Sequence, residues 1–311
     1  MRTTGRFCSV IVAMGLAACG TSPGGDDDVD AELELAFTIT SAEITLQPGE
    51  ESTFCYYFRT PNTATAAVAK WVSDMTPGSH HMIYFTNLGA QPPDGTIDDC
   101  NFDAIPLPVY GSQIPHEEVR FPTDDGDGFP LAQNINASSG GFFQMHYLNS
   151  TDQPLTTRVS LQAYTLKQGV VYTQTDLFGT YNADISIPPG ATNFVVSGTC
   201  DVVNKKFWAM TSHSHKQSKA VRVKDGTNMM FESLDWEHPG NIRFEPDFYQ
   251  FDSAQVTWEC TYDNTGDNAN RTIRSGQSAR TDEMCMATGY YFPATGPKGC
   301  VKSGGECQCL L

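Results

Sequence analysis

The sequence predicts an all-β protein, and three observations lead to this prediction. Short segments in which apolar and polar residues alternate recur along the chain, each bounded by turn residues, as half-buried strands do. No stretch keeps an apolar stripe at helical spacing over three turns. The chain also has 27 Gly and 18 Pro in 311 residues, which is typical of a fold with many turns. Many short strands of this kind indicate β-sandwiches or barrels.

The strand patterns fall into two groups separated by one interruption. They cover residues 43–46, 54–58, 82–85, 142–147, 159–164, 193–196, 207–210, 220–223 and 255–258. The pattern is interrupted near residues 168–186, between Leu166 and the turn that starts at Ile187, and strand patterns then resume. We therefore predict two tandem antiparallel β-sandwich domains, at residues 33–170 and 171–311.

The N-terminal residues resemble the signal of a bacterial lipoprotein. Basic residues and an apolar stretch occupy residues 1–18, and the stretch ends in Leu-Ala-Ala-Cys at 16–19. Because cleavage in such signals precedes the cysteine, Cys19 is predicted to carry the lipid and the Gly-, Pro- and Asp-rich residues 19–32 to form a tether. This predicts a lipid-anchored protein of the cell envelope that faces the periplasm or the exterior. Gly20, in place of an aspartate after the cysteine, favours the outer membrane in a Gram-negative host.

The charge of the chain argues against nucleic acid as a partner. Asp and Glu number 36 against 19 Lys and Arg, for a formal net charge of −17. Such a surface repels phosphates, and docking on an anionic membrane is disfavoured for the same reason. The sequence also has no phosphate-binding glycine loop followed by Lys and Ser or Thr, and no His-Glu-x-x-His motif. The cysteines and histidines remain as the residues that indicate a chemistry.

Eight cysteines remain for the folded protein once Cys8 in the signal and the lipid-bearing Cys19 are set aside. They are Cys55, Cys100, Cys200, Cys260, Cys285, Cys300, Cys307 and Cys309. An even count in an exported chain predicts disulfide bonds. The alternative is a Cys-x-Cys metal site at Cys307 and Cys309, although no second pair at zinc-like spacing accompanies it. The spacing alone does not determine the pairing.

Five of the seven histidines fall in compact groups and suggest metal ligands. They are His80, His81, His146, His213 and His215. His213 and His215 are two apart in a predicted strand, so both imidazoles project from one face, as two ligands of one metal require. His80 and His81 are adjacent and can share a metal only if the backbone is irregular there, which Pro77 and Gly78 just upstream favour. His146 would supply a third ligand from another strand.

Five motifs, taken in order, resemble those of a known enzyme family. They are CYYFRTP at residues 55–61, SHHMIYF at 79–85, QMHY at 144–147, SHSH at 212–215 and DEMC at 282–285. In that order they resemble the copper type II, ascorbate-dependent monooxygenases, a family that includes peptidylglycine α-hydroxylating monooxygenase and dopamine β-monooxygenase. The resemblance covers roughly residues 40–302, nearly all of the chain after the tether.

The resemblance implies two coppers per chain, one on each of two jelly-roll-like β-sandwich domains that face each other across a cleft. The electron-supplying copper would be held by His80, His81 and His146, and the O2-binding copper by His213, His215 and Met284. A thioether suits the second site because soft sulfur favours Cu(I). Gln144 matches a family glutamine near the cleft, which implies a supporting catalytic role. The implied reaction is hydroxylation of a C–H bond with O2 and two electrons from ascorbate or another reductant.

The resemblance also implies three disulfide bonds. By position, Cys55 would pair with Cys100, Cys260 with Cys285, and Cys200 with Cys300. The Cys260–Cys285 bond would brace the strand that carries Met284. Cys307 and Cys309 lie beyond the resemblance, so their pairing stays open.

The sequence departs from the peptide-amidating members of the family at the substrate site. Those enzymes bind the peptide carboxylate with an arginine two residues before His-x-His, helped by an asparagine and a tyrosine after Met-Cys. Thr211, Met286 and Thr288 stand in those places here. Because threonine lacks the bidentate fork of arginine, we predict a small organic substrate without a carboxylate near the reacting carbon, and no peptide amidation.

Two other functions are compatible with these residues. One is a non-catalytic copper-binding or copper-handling lipoprotein on the same scaffold, which would bind copper without reductant-dependent O2 consumption. The other is a binding or adhesion β-sandwich in which the histidines are incidental, and such a protein would be free of metal.

Overall fold

The described part of the molecule is built of strands, turns and loops. The computed structural model describes residues 33–86, 89–100 and 107–310. The signal, Cys19 and the tether predicted for residues 1–32 lie outside this part. The described residues include no helix, and therefore none with the length and apolar character needed to cross a membrane. The predicted all-β class is confirmed.

The strands of the described chain divide into an N-terminal half, β1 to β13, and a C-terminal half, β14 to β26. The N-terminal half comprises β1 (Leu33–Thr40), β2 (Ile44–Leu46), β3 (Glu51–Arg59), β4 (Ala66–Met75), β5 (Ser79–Thr86), β6 (Ile97–Asp99), β7 (Leu107–Ser112), β8 (His116–Arg120), β9 (Leu131–Ile135), β10 (Gly140–Leu148), β11 (Leu155–Thr157), β12 (Val159–Leu166) and β13 (Thr173–Gln174). The C-terminal half comprises β14 (Asp176–Asn182), β15 (Ser186–Ile187), β16 (Phe194–Asp201), β17 (Lys206–Ser214), β18 (Ser218–Asp225), β19 (Asn228–Ser233), β20 (Asn241–Arg243), β21 (Tyr249–Gln250), β22 (Gln255–Tyr262), β23 (Ile273–Arg274), β24 (Cys285–Phe292), β25 (Lys298–Ser303) and β26 (Glu306–Leu310).

Two sheets of the N-terminal half pack face to face. One has the strand order β1-β12-β4-β9-β13, with β8 also paired to β4, and the other has the order β6-β3-β10-β5-β7. Side chains from both sheets fill the core between them, among them Trp71 of β4, Tyr84 of β5 and Phe143 of β10. Because side chains alternate along a strand, Gln144 and His146 of β10 point away from this core. The outer face of the five-stranded sheet is thus available for a polar site.

The C-terminal half repeats this plan. Its seven-stranded sheet has the order β20-β17-β24-β14-β25-β26, with β21 also paired to β17, and its four-stranded sheet has the order β16-β22-β18-β19. Phe207 of β17 and Trp258 of β22 belong to the core that both sheets share. Met210 of β17 lies in the same core, so Thr211 and His213 project from the opposite face of that strand.

Aromatic side chains pack the two halves against each other. Phe121, between β8 and β9, lies 5.1 Å from Trp208 of β17 and 5.2 Å from Tyr290 of β24, measured between ring centroids. All three rings belong to the core of the N-terminal half. The described residues from Leu33 onward accordingly form one compact unit. The boundary between residues 170 and 171 stays a prediction.

The structure corrects one of the implied disulfide bonds. Cys55 is bonded to Cys100 and Cys260 to Cys285, as the resemblance implies. Cys200, however, is bonded to Cys307 and not to Cys300. The reason is β26, which lies beyond the resemblance and forms a hairpin with β25. It pairs Cys300 directly with Cys309 and leaves Cys307 facing β16, the strand of Cys200.

The hairpin leads to a prediction about the two remaining cysteines. The Sγ atoms of Cys300 and Cys309 lie 2.6 Å apart, well inside the ~3.5–4.0 Å at which non-bonded heavy atoms pack. In an oxidising compartment we expect these thiols to form a fourth disulfide bond. Peptide mapping of unreduced, alkylated protein should find the Cys300–Cys309 cross-link and no label on either residue. Alkylation of both residues in a chain whose Cys55–Cys100 bond is intact would contradict this.

Candidate metal centre

Three histidines of the N-terminal half meet on the outer face of its five-stranded sheet. His81 of β5 lies directly across from His146 of β10. The register then shifts, because Tyr147 pairs with Ser79, and His80 is the extra residue of a β-bulge. A bulge redirects side chains, and one ligand atom of each histidine lies within 4.8 Å of the others. The backbone irregularity that shared ligation by adjacent histidines requires is therefore present.

A carboxylate orients one of these rings. Nε2 of His146 lies 3.0 Å from Oε1 of Glu51 and donates to it, while Nδ1 of His146 is buried without a partner in the described part of the chain. Burial alone would raise the pKa of Glu51, but the hydrogen bond from His146 and its charge bring that pKa below its usual value. A carboxylate behind a histidine fixes the tautomer and leaves the other nitrogen to a metal.

The other two rings of this set lie close together. Nδ1 of His80 is 3.0 Å from Nδ1 of His81. Nε2 of His80 is buried, with no hydrogen-bond partner among the residues that the structure describes. The three rings thus converge, and those of His80 and His146 each keep a buried nitrogen without a described partner, which is compatible with a three-histidine metal site.

Two histidines and a methionine form a second set in the C-terminal half. His213 lies on β17, and His215 follows two positions later, just past the end of that strand. Strand β24 pairs with β17 such that Cys285 is opposite Ser214, which places Met284 beside His215. All three residues of the set are buried. The fold therefore brings together the three residues that the resemblance assigns to one site.

Each histidine of the second set also has one nitrogen engaged and the other unused. Nδ1 of His213 lies 2.7 Å from Oε1 of Gln113, a residue of the N-terminal half. Nδ1 of His215 lies 3.3 Å from the carbonyl oxygen of Asp282. Nε2 of each ring is buried and has no partner within the described ranges. Since an unpaired buried polar atom costs free energy, these nitrogens fit metal ligands better than structural groups.

A buried carboxyl group shapes the backbone around the second set. Glu283 accepts hydrogen bonds from the backbone N–H groups of His215, Gln217 and Met284, at 3.0, 2.7 and 3.2 Å. Burial raises the pKa of Glu283 to about 8, although these backbone hydrogen bonds act in the opposite direction. Because one side chain bonds both segments, Glu283 holds Met284 next to His215.

The two sets of histidines lie against each other. The ring centroid of His213 is 4.9 Å from that of His81 and 6.2 Å from that of His80. The centroids of His215 and His146 are 6.4 Å apart. The five rings form one cluster in this structure, where the resemblance implies two sites across an open cleft. The hydrogen bond between Gln113 and His213 is one of the contacts that join the two halves here.

Two further side chains border the cluster. Gln144 is buried on the same face of β10 as His146, and its Nε2 lies 3.5 Å from Oε1 of Gln277 in the C-terminal half. Trp236, between β19 and β20, stacks on His80 with ring centroids 5.5 Å apart and planes 24° apart. Gln144 thus lies beside the site, as the resemblance implies, and the indole of Trp236 covers one ring from outside.

Four imidazoles of the cluster, those of His80, His81, His213 and His215, have lowered pKa values that favour the neutral, metal-binding form at pH 7. Burial lowers the pKa of His80 to about 4 and of His215 to about 3, and the charge of His146 adds to both shifts. Burial also lowers the pKa of His81 and of His213, and neighbouring histidines contribute. Neutral imidazole is the form that coordinates metals, and two sets of nitrogen donors, one with a thioether, fit copper.

These pKa shifts predict that the metal-free protein loses stability in acid. His80, His81, His213 and His215 bind protons near pH 6.5 when unfolded but resist protonation when folded, so stability is lost as the pH falls below about 6.5. The raised pKa of Glu283 adds stability as the pH falls. The loss from four imidazoles is larger than this gain from one carboxyl group. Urea unfolding with a chelator present should show a free energy of unfolding lower by about 2 kcal/mol or more near pH 5 than near pH 7. Equal or greater stability at the lower pH would contradict the prediction.

The C-terminal half also matches a known sequence family. Residues 173–309 match the family model of the copper type II ascorbate-dependent monooxygenase, C-terminal domain. Enzymes of this family depend on copper and ascorbate, and the match supports the resemblance found from the motifs. His213, His215 and Met284 all lie inside the matched residues.

A comparison with solved structures finds the major capsid protein P2 from Bacteriophage PM2. The similarity covers 81% of this chain and 97% of the capsid protein, at 8% identity and a TM-score of 0.35. A likeness of this degree supports no conclusion about fold or function.

In the matched residues, the side chains next to His213 on its face of the sheet carry no charge. Met286 of β24 pairs with His213, and Thr288 pairs with Thr211, so the four side chains share one face. The hydroxyl of Thr211 donates to the carbonyl oxygen of Gly240. The position held by arginine in the peptide-amidating enzymes therefore offers neither a charge nor a spare donor.

Sequence reasoning does not identify four residues that shape this site: Glu51, Gln113, Trp236 and Glu283. Glu51 and Gln113 lie 95 and 100 residues away from the histidines that they contact, and no spacing rule spans such distances. Trp236 stands in a segment without a pattern. The one available signal is Glu283 of the DEMC motif, because a carboxyl group next to the buried Met284 and Cys285 requires hydrogen-bond partners.

Proposed function

We propose that this protein is a copper-dependent monooxygenase that hydroxylates a C–H bond of a small organic substrate, with O2 and a one-electron reductant such as ascorbate. One observation supports this most strongly. Two sets of histidines converge, four of the five rings with a buried nitrogen that has no hydrogen-bond partner among the described residues, and the second set lies in residues that match the copper monooxygenase C-terminal domain.

The two sets have different roles in the proposal. His80, His81 and His146 hold the electron-supplying copper. Bound copper supplies the redox chemistry with O2 that amino-acid side chains lack. The protein offers the metal three imidazoles, orients His146 through Glu51, and limits the access of water by burying His81 and His146.

The second set is the proposed O2-binding site. His213 and His215 provide two imidazoles, and Met284 provides a thioether, a soft ligand that favours Cu(I). Glu283 keeps the methionine and His215 in place through backbone hydrogen bonds. Gln144, buried beside His146, is proposed to supply a polar side chain to the region between the two sets.

The proposed substrate is a small molecule without a carboxylate near the reacting carbon. Thr211, Met286 and Thr288 line one face with His213 and carry no charge. Arg243 of β20, opposite Ala209, already bonds to Glu245 and to the carbonyl oxygen of Arg120. A carboxylate in this region would have no unengaged guanidinium among these residues to bind it.

We further propose that the protein is anchored by a lipid at Cys19 and acts in the cell envelope, facing the periplasm or the exterior. The support is the sequence of residues 1–32 alone, in which a signal ending in Leu-Ala-Ala-Cys precedes an acidic tether. An oxidising compartment also agrees with the disulfide bonds of the folded part.

Copper stoichiometry and O2 consumption test the proposed function. The chain, loaded with copper and freed of loosely bound metal, should hold two coppers, and ascorbate should then drive copper-dependent O2 uptake coupled to substrate hydroxylation. A substrate screen should favour amines, alcohols or aromatics without a carboxylate over peptides that end in glycine. Copper binding without O2 uptake would favour the copper-handling alternative, and absence of copper would favour a binding module.

A further inference from the structure

We infer that Gln113 and Glu51 are positioning residues that make each metal site depend on contact with the opposite half of the molecule. The inference rests on the proposed function, because it takes the two histidine sets as metal sites. It adds a coupling between them that follows from hydrogen bonds across the two halves.

Gln113 fixes the tautomer of a histidine in the other half. It lies between β7 and β8 of the N-terminal half, and its Nε2 donates to the carbonyl oxygen of Ser212 at 3.1 Å. A carbonyl oxygen only accepts, so the amide must present its own oxygen to His213, at 2.7 Å from Nδ1. His213 therefore carries its proton on Nδ1. Its Nε2, buried and without a described partner, has a lone pair free for a metal.

Glu51 orients a histidine of the first site and is itself held by the C-terminal half. It lies on β3 of the N-terminal half, and its Oε1 accepts from Nε2 of His146 at 3.0 Å. The same oxygen accepts from the backbone N–H of Ala279 in the C-terminal half, at 3.1 Å. Nε of Arg280 lies 3.9 Å from Oε2. The carboxylate that orients His146 is thus itself held by the opposite half.

The two contacts cross between the halves. A side chain of the N-terminal half orients a ligand of the second site, and a loop of the C-terminal half holds the carboxylate that orients a ligand of the first. Outer partners of this kind typically change metal affinity 10–100-fold. Each site is consequently preorganised only while the two halves are in contact, and loss of that contact would weaken both sites together.

The first test measures copper at the second site and the tautomer of His213. In a His81→Ala background, which disables the first site, Gln113→Ala should weaken copper binding about 10–100-fold. In metal-free protein, nitrogen NMR of the imidazoles should show Nδ1–H at His213 and a mixture of tautomers after Gln113→Ala. Gln91→Ala is the matched control, because Gln91 bonds to the carbonyl oxygen of Phe58 and to Asp94 and touches no histidine.

The second test changes a residue of the C-terminal half and measures copper at the first site. In a His213→Ala background, which disables the second site, Ala279→Pro removes the N–H that holds Glu51 and should weaken copper binding at the first site by a similar factor. Ala279→Gly keeps the N–H and should leave the affinity unchanged. Unchanged copper affinity in either test would overturn the inference.

The measurements separate this inference from the proposed function. The tautomer of His213 is read in metal-free protein, so it is informative even if the chain binds no copper. If the wild-type chain binds two coppers and is active but Gln113→Ala changes neither affinity nor tautomer, the function stands and the coupling is wrong.

Discussion

Replacing Met284 with isoleucine should abolish substrate hydroxylation while copper still loads at the three-histidine set. The substitution keeps an apolar side chain of similar size in a buried position but removes the soft sulfur beside His215. Loss of a residue that only hydrogen-bonds to a metal ligand already lowers metal affinity or activity 10–100-fold. We therefore expect loss of a ligand itself to lower turnover at least about 100-fold. Product formation and copper per chain, measured on the same sample, test this.

A control separates the ligand role from a general effect of the substitution. Met229 lies on β19 with half of its surface exposed, so Met229→Ile should leave turnover and copper content unchanged. Equal unfolding curves for both variants would show that Met284→Ile keeps the fold. Turnover near the wild-type value in a correctly folded Met284→Ile protein would remove this residue from the proposed site.

Glu283→Ala should produce the largest loss of stability of the substitutions considered. It leaves three buried backbone N–H groups, those of His215, Gln217 and Met284, without an acceptor. Each orphaned buried group costs about 1–3 kcal/mol, so we expect the free energy of unfolding to fall by about 3 kcal/mol or more. Denaturant unfolding of the metal-free chain measures this directly.

Two comparison variants make the Glu283 result specific. Glu283→Gln keeps one oxygen that can accept from these N–H groups, and its loss should be smaller than that of Glu283→Ala. Glu237→Ala removes an exposed carboxylate and should change stability by less than ~0.5 kcal/mol. If all three variants unfolded alike, the three backbone hydrogen bonds would not be the source of stability assigned to them here.

The strands of the fold follow from local patterns that the sequence carries. Residues 142–147 are predicted as a strand, and the structure extends that strand to Gly140–Leu148. Alternation predicts both the strand and its two faces, because Phe143 enters the core while Gln144 lies on the other face. Such predictions succeed because burial on one face imposes a period of two.

The candidate site is only partly predictable, for a physical reason. Adjacent histidines point to opposite faces of a regular strand, and a β-bulge at His80 was needed to bring them together. Cys307 lies past the end of the resemblance, so the hairpin that gives it Cys200 as a partner could not be foreseen. Gln113 and Glu51 act through contacts that only the packed halves create.

The order of strands has a consequence for how the chain acquires its structure during synthesis. Leu33 of β1 pairs with Leu166 of β12, and β14 pairs with β25 in parallel. The pairing partner of β1, the first strand of the described residues, is therefore synthesised only after most of the N-terminal half, and β25, the parallel partner of β14, only when nearly all of the chain has been made. Distant pairing of this kind makes folding slow and leaves strand edges exposed meanwhile.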